Sequence, residues 1–112
     1  MKLIILITGQ TDQSLEIATR WQQAGATGVT IVEGHGLRRL QEIRDDLPLI
    51  PSLSALLRGQ EVSTHILISA VPDNLESRLY QETEAILGDL TQPDNGLILT
   101  LDIANILGLR QT

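Results

Sequence analysis

The chain has no cysteine and no phenylalanine, and only one tryptophan and one tyrosine. Without cysteine there is no disulfide, no thiolate metal site and no cysteine nucleophile. With so few aromatics, the stacking platforms that hold single-stranded nucleic acid are missing. Basic residues are also scarce, eight against 14 acidic ones, for a net charge of −6. A surface that tracks nucleic-acid phosphates needs the opposite balance, so no nucleic-acid partner is expected. Long apolar runs are absent too. No stretch approaches the ~18 consecutive apolar residues of a bilayer-crossing helix, so no membrane insertion is expected. The opening MKLIILITGQ carries one lysine and an aliphatic run but no small-residue cleavage site. It reads as a strand rather than a leader, and the expected compartment is the cytoplasm.

What is present fits a single folded domain over residues 1–112, with 42% hydrophobic and 20% charged residues. Lys2 to Thr8 is aliphatic and too short for a helix, and reads as a buried strand. A helix follows to Ala24, with Thr11 or Asp12 as its N-cap. Leu15, Ala18, Trp21 and Ala24 form its inward face, Glu16 and Arg20 pair on the other, and Gly25 stops it. Val29 to Glu33 is β-branched and reads as the second strand. Thr64 to Val71 is the third. Pro72 and Asp73 open a second helix, with Asp73 and Glu76 spaced as a capping box. Leu75, Leu79, Thr83 and Ile86 or Leu87 face inward, and Gly88 ends it. A turn-rich loop, DLTQPDNG (89–96), precedes the last strand, Leu97 to Ile103.

This order is the ferredoxin-like β-α-β-β-α-β arrangement: an α+β fold with a four-stranded antiparallel sheet and helices on one face. A long insertion, 34–61, separates strands two and three. Insertions of this length are functional or disordered. Leu37, Leu40, Ile43 and Leu47, then Leu53, Leu56 and Leu57, recur at helical spacing and favour a structured effector or ligand loop. The insertion is formally neutral, with Arg38, Arg39, Arg44 and Arg58 against Glu42, Asp45, Asp46 and Glu61, so the excess negative charge lies elsewhere.

Two helices cover one face of such a sheet, and a wet second face would alternate apolar with polar residues. These strands barely alternate. Leu3, Ile5 and Ile7 oppose Ile4 and Leu6; Ile66 and Ile68 oppose Leu67; Leu97, Leu99 and Leu101 oppose Ile98. The second face therefore calls for a cover, either the insertion folding back or further copies of the chain. Closed symmetry is the common outcome for small domains, and a homotrimer with its sheets facing the axis is expected.

Catalytic constellations are thin. His35 and His65 are the only histidines, the latter expected at the sheet edge, and no HxH or HExxH spacing joins them to acidic residues. Ser52 and Ser54 lack both a nearby base and a nucleophile elbow. No enzyme is expected. Gly34-His35-Gly36 and Asp94-Asn95-Gly96 are glycine turns that allow backbone to approach a ligand closely. Arg38, Arg39 and Arg110 are placed to bond a phosphate or carboxylate.

On these residues the chain resembles the PII-like signalling proteins of the nitrogen regulatory PII superfamily. The resemblance is carried by the MKLI opening, GVTIVEGHG before the insertion, the helix after VPDN, and PDNGLILTLDI. RDDLPLIPSL looks like a variant branch with a modified T-loop. The resemblance implies a trimeric, non-enzymatic regulator that binds a small-molecule effector, an adenine nucleotide in most members, at clefts between subunits. It signals to a target protein, an enzyme or transporter, through the 34–61 loop. Thr30 and Gly36 fall at the T-loop base, Asn95 and Gly96 on the B-loop, and Arg110 on a basic tail position. Arg38 stands where the family has a second glycine, Leu40 where it has glutamine, Leu97 where it has the phosphate-binding lysine, and Gly108 at another basic position. These departures count against ATP held in the usual manner and favour a less charged ligand. The alternatives are a metal-binding trimer similar to the CutA-type cation-tolerance proteins, using His35 and His65, and a structural or interaction module with no ligand.

Overall fold

A computed structural model of the chain describes residues 1–37 and 63–109. The expected helical repeats of the insertion beyond Leu37, and Arg38, Arg39 and Arg110, lie outside the described residues.

The elements run β1 (Lys2–Thr8), α1 (Ser14–Ala24), β2 (Thr30–His35), β3 (Ser63–Val71), α2 (Glu76–Leu87) and β4 (Leu97–Asp102). The sheet order is β2-β3-β1-β4, and every neighbouring pair is antiparallel. The fold is α+β and ferredoxin-like. The split β-α-β units interleave, so β1 and β3, the most aliphatic strands, take the centre and β2 and β4 the two edges.

Side-chain alternation sorts the strands onto two faces. Ile4, Leu6, Leu67 and Val71 point to the helices and are fully buried with Ile17 and Trp21 of α1 and Leu79 of α2. Ser69 shares that face and donates to Gly28 O at 2.6 Å, which satisfies its hydroxyl beside the turn into β2. Between the helices, Arg20 reaches Glu16 one turn earlier at 3.5 Å and Glu82 of α2 at 3.4 Å.

The opposite face carries Leu3, Ile5 and Ile7 of β1, which lie in register with Leu101, Leu99 and Leu97 of β4. On their other side they meet Ala70, Ile68 and Ile66 of β3. Neither described helix covers this face, and Leu97 and Leu101 keep about half their surface exposed, at 54% and 50%. The expected two-sided aliphatic sheet is present.

Three expectations change. The inward face of α1 is rotated: Ser14, Ile17, Ala18 and Trp21 are buried, and Leu15 is 74% exposed. A short 3-10 turn, Thr11–Gln13, leads into the helix without a side-chain cap, and the residues at 14, 17, 18 and 21 form the i, i+3, i+4, i+7 stripe that faces the sheet. The same device replaces the capping box on α2: Asp73–Leu75 forms a 3-10 turn and Leu75 takes the N-cap position with no side-chain bond. β2 also runs two residues further than expected, to His35. The glycine stops hold, with Gly25 at φ +127° and Gly88 at φ +87°, conformations that side chains rarely adopt.

Candidate functional site

One end of the sheet holds both glycine turns that the sequence singled out. There β1 and β2 finish while β3 and β4 begin, because His35 pairs with Ser63, Thr8 with His65, and Ile7 with Leu97. Gly36 follows β2 at this end, and Gly96 precedes β4.

The loop from Gly88 to Gly96 is tied by its own polar groups. Asp89 Oδ1 accepts from the Thr91 hydroxyl at 2.7 Å and from Thr91 N at 2.9 Å. These bonds favour the charged form and hold the Asp89 carboxyl below its ordinary range, the hydroxyl having the larger effect. The Asn95 side-chain amide donates to Asp89 O at 2.6 Å and closes the loop. Leu90 N donates to Glu84 Oε2 at 3.1 Å, which fastens the loop to α2. Asp94 adopts φ +70° and Gly96 φ +128°. A Cβ on Gly96 would lie 3.0 Å from Ile7 O, so the fold alone demands glycine there.

Beside this loop, at the β4 edge, lies an open cleft of about 240 Å³ lined by Tyr80, Glu84, Leu90, Thr91, Gly96, Leu97 and Ile98. Tyr80 Oη and Thr100 Oγ1 bond at 2.7 Å and join α2 to β4 next to it. Small-molecule pockets span roughly 300–1,000 Å³, so this cleft by itself is too small for a nucleotide. The sequence reading missed Tyr80, Glu84, Leu90 and Thr91. The only signal for them was the turn-rich loop itself, because what brings α2 against β4 is the tertiary fold.

At the other edge, Thr30 starts β2 on the open face, exposed and paired with Ile68. Gly36 does not adopt a left-handed conformation, and a Cβ there would make ordinary contact with Thr64 Oγ1 at 3.9 Å. Asn95 and Gly96 are therefore together, Thr30 starts β2 and Gly36 follows its end, and the two sets sit on opposite edges. Three strand spacings separate those edges, about 14 Å. A single chain does not join them.

His65 lies on the central strand β3, rather than at the edge. Its Nδ1 bonds Ser14 Oγ at 2.6 Å, while its register partner Glu33 accepts from Ser63 Oγ at 2.8 Å. Ser14 is 2% exposed, so this pair joins α1 to the sheet and offers no accessible nucleophile. Among the described residues no three His, Asp or Glu side chains converge as a metal site, and no helix is long and apolar enough to cross a membrane.

The comparisons with protein-family models and with curated proteins give no match to this chain.

Proposed function

We propose that this chain is a non-enzymatic regulatory protein of the PII-like kind, working in the cytoplasm as a homotrimer. It binds a small metabolite or nucleotide in clefts between copies and signals to a target protein through residues 34–61. The observation that supports this reading is the division of the expected ligand-contact residues between the two free edges of the sheet. Thr30 starts β2 and Gly36 follows its end, Asn95 and Gly96 lie beside β4, and two strands separate β2 from β4. β2 and β4 run in opposite directions, since each is linked to the other through three antiparallel pairings. Laying β4 of one copy beside β2 of the next continues the antiparallel pattern. That arrangement sets the Gly96 end of one chain against the Gly36 end of its neighbour. Repeated around a closed ring with the open faces inward, it also covers the aliphatic surface that neither described helix covers. A cleft too small in one copy gains a second wall. With Leu97 rather than a lysine after the loop glycine, the ligand is one of lower charge than ATP.

Such a switch requires the ligand to bind two states of the signalling segment with different affinity. Light scattering coupled to gel filtration, followed by calorimetry with ATP, ADP, AMP and cyclic nucleotides, tests both halves. A trimer that gives heat with one of these ligands supports the reading. A clean monomer mass removes the inter-copy site, and a trimer silent to all of them removes the nucleotide version.

A further inference from the structure

We propose that Asn95 is a site of intramolecular modification, whose conversion to aspartate or isoaspartate unlocks the 88–96 loop, and that the folded loop itself holds the reaction back. Of the three asparagines, Asn95 alone is followed by glycine; Asn74 precedes Leu75 and Asn105 precedes Ile106. A glycine has no Cβ to shield its backbone nitrogen. The Gly96 nitrogen attacks Asn95 Cγ, the side-chain nitrogen leaves as ammonia, and a five-membered imide forms. Water then opens the imide at either carbonyl, giving aspartate or, with the chain rerouted through the former side chain, isoaspartate. The sum is one water consumed and one ammonia released, with no other reactant.

The vulnerable pair cannot be removed without cost at this place. Gly96 has φ +128° and no room for a Cβ against Ile7 O. Asn95 in turn has a structural duty, since its amide donates to Asp89 O at 2.6 Å. That bond restrains the amide, and the reaction must wait for local opening. The product cannot repeat the bond. A carboxylate only accepts hydrogen bonds, and here it would meet a carbonyl oxygen with the carboxylates of Asp89 and Asp94 on the same loop. Isoaspartate also adds a methylene to the backbone immediately before β4. The inference is independent of any ligand, because it rests on the loop's covalent chemistry and its hydrogen bonds.

Peptide mass spectrometry on the full chain, held at mildly alkaline pH, follows replacement of the amide NH2 by OH at each asparagine. Modification is expected at Asn95 far ahead of Asn74 and Asn105, and about tenfold slower in the folded chain than in concentrated urea, the scale set by opening a hydrogen-bonded loop. Asp89→Ala removes the acceptor of both Thr91 bonds and is expected to speed the reaction in the folded chain. Equal rates folded and in urea, or no acceleration in D89A, would overturn the protection. For the consequence, Asn95→Asp is read by amide hydrogen exchange, with faster exchange expected over 88–96 and unchanged exchange in β1 and β3. Unchanged exchange over the loop would overturn the unlocking.

Discussion

The Trp21 indole N–H donates to the Thr83 hydroxyl across 2.9 Å, and both side chains are wholly buried where α1 packs on α2. The same hydroxyl donates to Leu79 O at 2.7 Å, so the one polar atom of the only tryptophan is satisfied inside the core.

Thr83→Val keeps the shape of the side chain and deletes the acceptor. Leu79 O loses only a secondary donor, but the indole N–H is left unpaired away from water, which costs about 1–3 kcal/mol. Urea unfolding followed by the tryptophan emission is expected to show that loss with an unchanged denaturant slope. Thr83→Ser keeps the hydroxyl and is expected to lose less. Equal stability of T83V and the parent chain would mean that the indole finds another partner.

Much of this fold was readable because it rests on local patterns. The runs at Leu3–Ile7, Ile66–Ile68 and Leu97–Leu101 are aliphatic on both parities, and a strand places successive residues on opposite faces. Gly25 and Gly88 ended the helices where expected because their backbone angles exclude other residues. The errors arose where a few residues choose between near-equal local forms. Short 3-10 turns at Thr11–Gln13 and Asp73–Leu75 stand where side-chain caps were expected, and only α1 shows a different inward face. A small shift in phase moved Leu15 out of the core and Ile17 into it. Of the glycine turns singled out in the sequence, Gly96 borders the β4 cleft and Gly36 does not. That these glycines lie on opposite edges follows from strand order, and strand order is not a local property. The Ser14–His65 bond joins residues 51 apart in the chain, beyond any spacing rule.

The two glycines Gly96 and Gly28 make a contrasting pair. Gly96→Ala forces a Cβ against Ile7 O at φ +128° and is expected to destabilise the chain by about 1–3 kcal/mol. Gly28 has nothing within 4 Å of a Cβ and no left-handed backbone. Gly28→Ala is expected to be neutral or to stabilise by up to about 1 kcal/mol through the unfolded chain. Thermal melts of both variants check the order, and equal melting points would contradict the strain assigned to Gly96.

Glu82 accepts from Arg78 Nε at 3.0 Å and from Arg20 at 3.4 Å, and these bonds hold its carboxyl below the ordinary range, Arg78 contributing most. Asp89 is held down in the same sense by Thr91. A carboxyl with a depressed folded pKa contributes stability that is fully present above its unfolded value. That contribution is lost as pH falls through the folded value. Stability is therefore expected to be flat from neutrality to about pH 5 and to decline below ~4, where free carboxyls take up protons. Glu82→Gln removes one such group, so its urea midpoint is expected to start lower at neutral pH and fall less steeply in acid. A parallel acid limb in parent and variant would show that Glu82 is not among the groups responsible.

The open face of the sheet supplies the most direct test of assembly. Ile5 and Leu99 are register partners at its centre, while Ile4 and Leu6, one residue away, are wholly buried under the helices. A lysine at position 99 puts a charge where a neighbouring copy would pack, yet leaves the helix-side core untouched. Each aliphatic side chain fully buried between copies contributes about 1.5–3 kcal/mol, and an unpaired charge there opposes association further. If the proposed trimer forms through this face, Leu99→Lys is expected to give monomers by light scattering where the parent chain gives a trimer, with Trp21 emission and far-ultraviolet dichroism retained. Leu15→Lys, on the helix side and already 74% exposed, is expected to leave the mass unchanged. A charge at 99 that does not alter the mass would place the contact between copies elsewhere, and the ligand cleft could then no longer be built from the β2 and β4 edges.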